Sequence, residues 1–269
     1  VRREPFGASQ ASRPQGFTIL ELLVVLAIVS VLVSLISSAL NQAKARARQV
    51  GCLNNLRQLQ TAWSFYADEN DDRLPLNRST PSANERFFGR RNTSDSWVAG
   101  NPKEDISTEN IEQGSLFRHL NSPVVYRCPG DTAKVPVKKD TLRTRSYSMS
   151  AYLNGDDAGT DPRVKVKMSE VETQPASKIF VFIEEDAASS WLGSFSVGPS
   201  AGVALAAGTV GSSLPGSWHQ DGADLSFADG HVEYWRWNSF GKSSRSTGPV
   251  LLQRELRDLR RLQDAIPRP

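Results

Sequence analysis

Residues 13–48 read RPQGFTILELLVVLAIVSVLVSLISSALNQAKARAR. From Phe17 to Leu40 every residue is apolar or small and neutral, with one exception, Glu21. A run of about 18 or more such residues is long enough to cross a bilayer as a helix, at roughly 1.5 Å per residue. An ordinary cleaved signal peptide is shorter, with an apolar region of about 7–15 residues and a small-residue cut site after it. A plain membrane anchor fits the length but leaves Glu21 without a role. A carboxylate in lipid costs about 2.5–3.5 kcal/mol at the helix centre and less near an end, so such a residue calls for a partner. Cleavage between Gly16 and Phe17 would supply one. The new ammonium group lies four residues from Glu21, one helical turn away, and Glu21 of one subunit can pair with that group on a neighbour.

Outward from this run, basic residues flank both sides: Arg2, Arg3 and Arg13 before it, Lys44, Arg46 and Arg48 after it. The bias of positive charge toward the cytoplasm therefore leaves the orientation open. No proline occurs between Phe17 and Leu74, and the only glycine there is Gly51. Beyond the apolar run, Leu53, Leu56, Leu59, Trp63 and Tyr66 recur at three- and four-residue spacing, as on one face of a helix. The stretch NDDRLP, Asn70 to Pro75, ends it. The segments follow as residues 1–16, a leader; 17–40, a membrane part; 41–72, an amphipathic stem; 73–240, a β-rich head; and 241–269, a tail. The chain has 269 residues, 39% of them apolar, and a net charge of +3. Without the leader and the apolar run it is close to neutral, which gives no electrostatic footprint for nucleic acid as a partner.

The head carries weaker patterns. Residues 75–125 are rich in Asn, Ser, Thr, Arg and Pro and read as long loops with short elements. Arg143 to Asp157 suggests a strand ending in a turn at Asn154-Gly155. Ile179 to Ile183 reads as a buried strand. Glu184, Glu185 and Asp186 then read as its solvated end, with cation binding as the alternative. Residues 198–216 are small and read as a flexible loop. In WHQDGADLSFADGHVEYWRW, Trp218 to Trp237, Asp229-Gly230 predicts a two-residue type I′ hairpin turn. That register pairs Phe227 with Val232 and Leu225 with Tyr234, and sets all four on the core face. In the tail, Leu252, Leu256, Leu259, Leu262 and Ile266 predict a short helix packed on the head.

The stretch GFTILELLVVLAIVSVLVSL resembles the N-terminus of type IV prepilins and type II secretion pseudopilins. The resemblance implies cleavage by a prepilin peptidase between Gly16 and Phe17, N-methylation of Phe17 and a role for Glu21 in assembly. It departs at Gln15, where a basic residue is common before the glycine. His219, nine residues, then Asp229-Gly230 is similar to the prepilin-type processing-associated H-X9-DG domain. The implied fold is α+β and pilin-like: a long N-terminal helix packed on a small antiparallel sheet, with a short C-terminal helix. The implied partners are the peptidase, other pilin or pseudopilin subunits, an inner-membrane assembly platform and membrane lipid. The head would then lie in the periplasm or in an extracytoplasmic filament. The alternative is a membrane-anchored periplasmic binding or sensing protein that never polymerises.

In an oxidising compartment Cys52 and Cys128 can bridge. The bridge would close a loop of roughly 75 residues and stabilise by about 4 kcal/mol in the chain-entropy description; two free buried thiols are the alternative. Two cysteines without close histidines lack zinc-site spacing. His219, Asp221, Asp229 and His231 are residue types that suit zinc or a hydrolase, but turn chemistry accounts for Asp229. Some pseudopilins bind calcium through acidic loops. Asp156, Asp157 and Asp161, or Asp221 and Asp224, are the available acids, and neither set has calcium-loop spacing. No nucleophile–base pair stands out, so the sequence predicts a structural protein without a cofactor and not an enzyme.

Overall fold

The computed structural model describes residues 18–81, 90–190, 192–197, 213–238 and 253–269. The chain falls into two compact units, residues 1–44 and residues 45–269. Helix α1, Ile19–Glu69, contributes to both. In the first unit every described residue is exposed, including Ile19, Leu23, Leu35 and Ile36. This part is apolar around its whole circumference, which suits lipid or close-packed neighbours and not water. Among the described residues α1 is the one helix long and apolar enough to cross a membrane.

In the second unit α1 changes character. Cys52, Leu56, Leu59, Gln60, Trp63 and Ala67 are buried at three- and four-residue intervals, with Ala62 beside them. Leu53 and Tyr66, expected on the same stripe, lie at its half-buried flanks. Asp71 and Asp72 follow the helix with φ of 53° and 66°, a left-handed exit. The Asp72 amide donates back to the Ala67 carbonyl at 3.0 Å, satisfying one of the last acceptors of the helix.

Short elements then cross the region read as loops. They are β1 (Ser79–Pro81), β2 (Arg90–Asn92), α2 (Glu109–Glu112), α3 (Phe117–Leu120) and a 3-10 turn at Pro123–Tyr126. Next come the small hairpin β3 (Lys134–Val135) and β4 (Lys138–Leu142), then β5 (Tyr147–Ser150) and α4 (Met168–Glu172). The main sheet is completed by β6 (Phe180–Glu184), β7 (Ser194–Phe195), β8 (Gly222–Phe227) and β9 (Val232–Arg236), and the tail helix is α5, Gln253–Gln263. The sheet order is β7-β5-β6-β8-β9, antiparallel except for the short parallel pairing of β5 with β7.

The sheet has an apolar layer on each face. One contains Cys52, Leu56, Leu59 and Trp63 of α1 with Met149, Val181 and Phe182. The other contains Phe180, Ile183, Leu225, Phe227 and Trp235 with Leu259, Leu262 and Ile266 of the tail. The fold is therefore α+β and pilin-like, with the distal part of α1 on one face of the sheet and the tail helix on the other. Of the tail stripe, Leu252 and the side chain of Leu256 lie outside the described residues, as do residues 198–212 of the small-residue stretch.

Two expectations are corrected. The β8–β9 register differs by one residue from the type I′ pairing: Ser226 opposes Val232, Leu225 opposes Glu233 and Asp224 opposes Tyr234. The connection has three residues, Ala228, Asp229 and Gly230, closed by Phe227 N–H to the His231 carbonyl and Gly230 N–H to the Phe227 carbonyl, both 2.9 Å. Gly230 supplies the positive φ, +94°, that this longer loop needs. A one-residue slip moves every side chain to the other face. Phe227 consequently stacks on His231, ring centroids 4.3 Å apart, while Val232 packs on the α1 side. Sequence alternation could not choose, because all six residues of β8 are buried, polar ones included.

The second correction concerns Glu184 and Glu185, read as a solvated strand end. They are 0% and 1% exposed. Strand β6 lies in the middle of the sheet, so its C-terminal end is covered by β5, β8 and their connections. Both carboxylates are consequently held by hydrogen bonds within the protein.

Candidate functional site

The end of β6 carries a compact polar cluster. Cys52 comes from α1, and Cys128 opens the CPGD turn, which the Asp131 amide closes on the Cys128 carbonyl at 3.0 Å. The structure joins the two cysteines by a disulfide, Cα atoms 5.1 Å apart across 76 positions. His219 arrives from the turn before β8, where Gln220 and Asp221 have φ of 54° and 64°. The Tyr234 hydroxyl holds that turn by donating to the His219 carbonyl at 2.6 Å. The imidazole Nε2 lies 3.2 Å from Cys128 Sγ and 3.1 Å from Glu184 Oε1. Glu184 Oε2 accepts the Asp224 amide at 3.0 Å. The Asp224 carboxylate completes the group, with Oδ2 3.7 Å from His219 Nε2.

The surroundings press close. Gly130 donates its amide to Cys128 Sγ at 3.2 Å, and a Cβ there would stand 3.0 Å from His219 Cε1. Asp131 is fully buried and binds the Arg143 guanidinium and the Ser146 hydroxyl, while Arg143 lies over the Trp218 ring at 5.0 Å. Burial, reinforced by the neighbouring Glu184, pushes the Asp224 carboxyl up to about 8. Burial works against a charged His219, but the hydrogen bond and charge of Glu184, with the charge of Asp224, outweigh it and raise the imidazole. Burial likewise pushes Glu185 up to about 7. Both Asp224 oxygens lack a partner at hydrogen-bond geometry, although the Gln49 side chain approaches.

The four residues weighed as a zinc or hydrolase set are not brought together. His219 is buried in the cluster, whereas Asp229 and His231 sit at the exposed hairpin tip, where Asp229 Oδ1 contacts His231 Nδ1 at 2.5 Å. Asp229 and Gly230 thus serve the turn. Of the other acids, Asp156 accepts from Ser79 and Arg90, and Asp161 from Arg163. Each of these two already has a partner, which argues against a shared calcium loop. Sequence reasoning missed Glu184 and Asp224 as neighbours of His219. No signal in the primary pattern joins positions 128, 184, 219 and 224, since strand pairing alone makes them adjacent.

At the other end of the chain, Gly16 and Phe17 lie outside the described residues. Thr18 caps α1. Its hydroxyl accepts the Glu21 amide at 3.2 Å, while Glu21 Oε2 accepts the Thr18 amide and hydroxyl, both at 2.8 Å. This reciprocal pair is a capping box, legible in the sequence as Thr-x-x-Glu. Glu21 therefore has a role within its own chain as well as any it has between chains.

Residues 11–37 match the prokaryotic N-terminal methylation motif. The match brackets positions 16, 17 and 21. Comparison with curated proteins and with solved structures gave no match. The prepilin-type motif, with the one apolar helix that begins inside it, supports a type IV pilin-like precursor with a single-pass membrane anchor. It implies processing by prepilin peptidase and assembly with pilin-type subunits, and it points to a structural protein rather than an enzyme.

Proposed function

We propose that the chain is a structural subunit of a pilus-like filament, either a type II secretion pseudopilus or a type IV pilus. Prepilin peptidase would cut between Gly16 and Phe17, and Phe17 would be N-methylated. Glu21 would then neutralise the Phe17 ammonium of an adjacent subunit and set the register of an apolar filament core. The observation that carries this reading is the prepilin-type motif running directly into a helix whose apolar side chains are exposed all round. In water such a surface is unfavourable, and lipid followed by neighbouring subunits is the pair of environments that suits it.

The capping box decides the experiment. Glu21→Ala removes both the charge and the cap, whereas Glu21→Gln keeps an acceptor for Thr18 and removes only the charge, since Gln also serves at that position. Expressed in the native host, the Gln variant should reach the membrane at wild-type level, begin at N-methylated Phe17 by mass spectrometry, and yield no filaments by electron microscopy. Filaments at wild-type abundance would overturn the pairing of Glu21 with Phe17, and a parent chain that is processed yet yields no filaments would leave an anchored monomer as the better account.

A further inference from the structure

We propose that Cys52, Cys128, His219 and Glu184 form a zinc site in the dithiol form of the head, and that the disulfide is the metal-free, oxidised state of the same four-residue cluster. The four offer two sulfurs, one imidazole nitrogen and one carboxylate oxygen, all within 4.8 Å of one another and all buried. A tetrahedral zinc with bonds of about 2.0–2.3 Å requires ligand separations of about 3.3–3.8 Å. Two of these edges are nearly in place, Sγ of Cys128 to Nε2 at 3.2 Å and Nε2 to Oε1 of Glu184 at 3.1 Å. The sulfurs, bonded to each other when oxidised, need only separate within side chains whose Cα atoms are 5.1 Å apart. The set is specific in kind: thiolate and imidazole suit zinc, while calcium and magnesium take oxygen ligands.

An independent observation points the same way. A disulfide needs no charge beside it, yet this one is surrounded by His219, Glu184 and Asp224, each 5% exposed or less. Both carboxylates face this one imidazole, Glu184 Oε1 at 3.1 Å and Asp224 Oδ2 at 3.7 Å from Nε2. Both oxygens of Asp224 are buried without a hydrogen-bond partner. Two carboxylates buried around one imidazole make a setting that favours a cation, whether the imidazolium itself or a metal ion. The Gly130 amide already donates to Cys128 Sγ, the kind of hydrogen bond that supports a metal-bound thiolate. The separation of His219 from Cys128 by 91 positions explains why cysteine spacing gave no hint of the site.

The chemistry balances in two steps. A dithiol reductant transfers two electrons and two protons to the disulfide, giving two thiols and becoming a cyclic disulfide itself. Zinc then displaces the two thiol protons, so that Zn²⁺ plus two thiols becomes a zinc dithiolate plus two protons. Nothing in this sequence depends on whether the chain assembles into filaments.

The test uses the full chain in detergent, reduced anaerobically with a phosphine, which takes up one water oxygen as the disulfide accepts two protons. Zinc is then added and counted after gel filtration, and cobalt is added in parallel as a spectroscopic probe. The reduced protein should retain one zinc per chain, and its cobalt form should show tetrahedral d–d bands with thiolate charge transfer. The oxidised protein should retain none. His219→Ala should weaken binding by about 100-fold or more. His219→Cys should keep the metal and strengthen the charge-transfer band, a gain that a folding defect would not produce. Absence of metal from the reduced chain overturns the proposal, whether or not the head stays folded. So does retention by Cys52→Ser/Cys128→Ser, or unchanged affinity in His219→Ala, since each would mean that the ion sits elsewhere.

Discussion

The two parts of α1 share one backbone conformation and opposite relations to solvent. Residues 19–40 are apolar around most of the helix and wholly exposed, whereas from Cys52 to Ala67 a stripe is buried and the exposed positions are mostly polar, Phe65 excepted. Helix propensity is met in both. What differs is the surface each part was built to meet. In the first no side chain is buried, and its sequence suits an apolar surrounding and not water. The second is one wall of a protein core, and its sequence answers to the sheet against which it packs. Mutations should therefore separate the two cleanly.

The largest effect is expected at Trp63, which is fully buried against the sheet. Trp63→Ala should lower the unfolding free energy of the head by about 3–5 kcal/mol, through lost apolar burial and the cavity left behind. Denaturant unfolding of the oxidised chain in detergent measures it; a loss below about 1 kcal/mol would mean that the stem is not part of the core. Next comes the covalent tie between stem and head. Cys128→Ala should cost the oxidised protein about 2–4 kcal/mol, and most of the deficit should disappear when both proteins are compared fully reduced.

Smaller, and distinguishable by its pH dependence, is the effect of Glu185. Burial raises its carboxyl from 4.5 to about 7, against the hydrogen bonds from Ser148, Ser189 and Ser213 and the charge of Arg143. The folded head therefore holds a proton that the unfolded chain releases between these values. Its contribution to stability is fully present below about pH 4.5 and is lost as pH rises through about 7. Glu185→Gln should remove that loss, leaving the variant more stable relative to the parent by about 2–3 kcal/mol at pH 8 than at pH 4. A parallel shift at both pH values would show that Glu185 is not the group concerned. The smallest effect is expected at Leu26, exposed in the first unit. Leu26→Ala should leave head unfolding within about 0.5 kcal/mol of the parent, and a larger change would break the contrast between the two parts of the helix.

Much of the fold was legible because it rests on local periodicity. The full-circumference apolar run, the stripe through Leu56, Leu59 and Trp63, the strand at residues 179–183 and the tail stripe each follow from spacing within one element. The capping box of Thr18 and Glu21 went unread, although its signal spans only four residues, because Glu21 was assigned solely to the Phe17 ammonium. The reading faltered where burial depended on neighbours remote in sequence. Asp229-Gly230 marked the hairpin correctly but not its length, because Asp-Gly serves both a two-residue and a three-residue loop, and a strand buried on both faces gives no alternation to choose between them. Glu184 and Glu185 looked like solvent-facing acids because charge is the strongest local indicator of exposure.

The sequence alone therefore determined where a helix is long and apolar enough to cross a membrane, where its stem becomes a core helix and where the prepilin-type motif stands. Those properties are encoded in contiguous residues, whose hydrophobicity and spacing act at short range. Tertiary structure alone decided that Cys52, Cys128, Glu184, His219 and Asp224 share one buried pocket. Their meeting depends on the register of β6 with β8 and on the turn that carries His219, and pairing between strands tens of residues apart has no counterpart in the linear pattern.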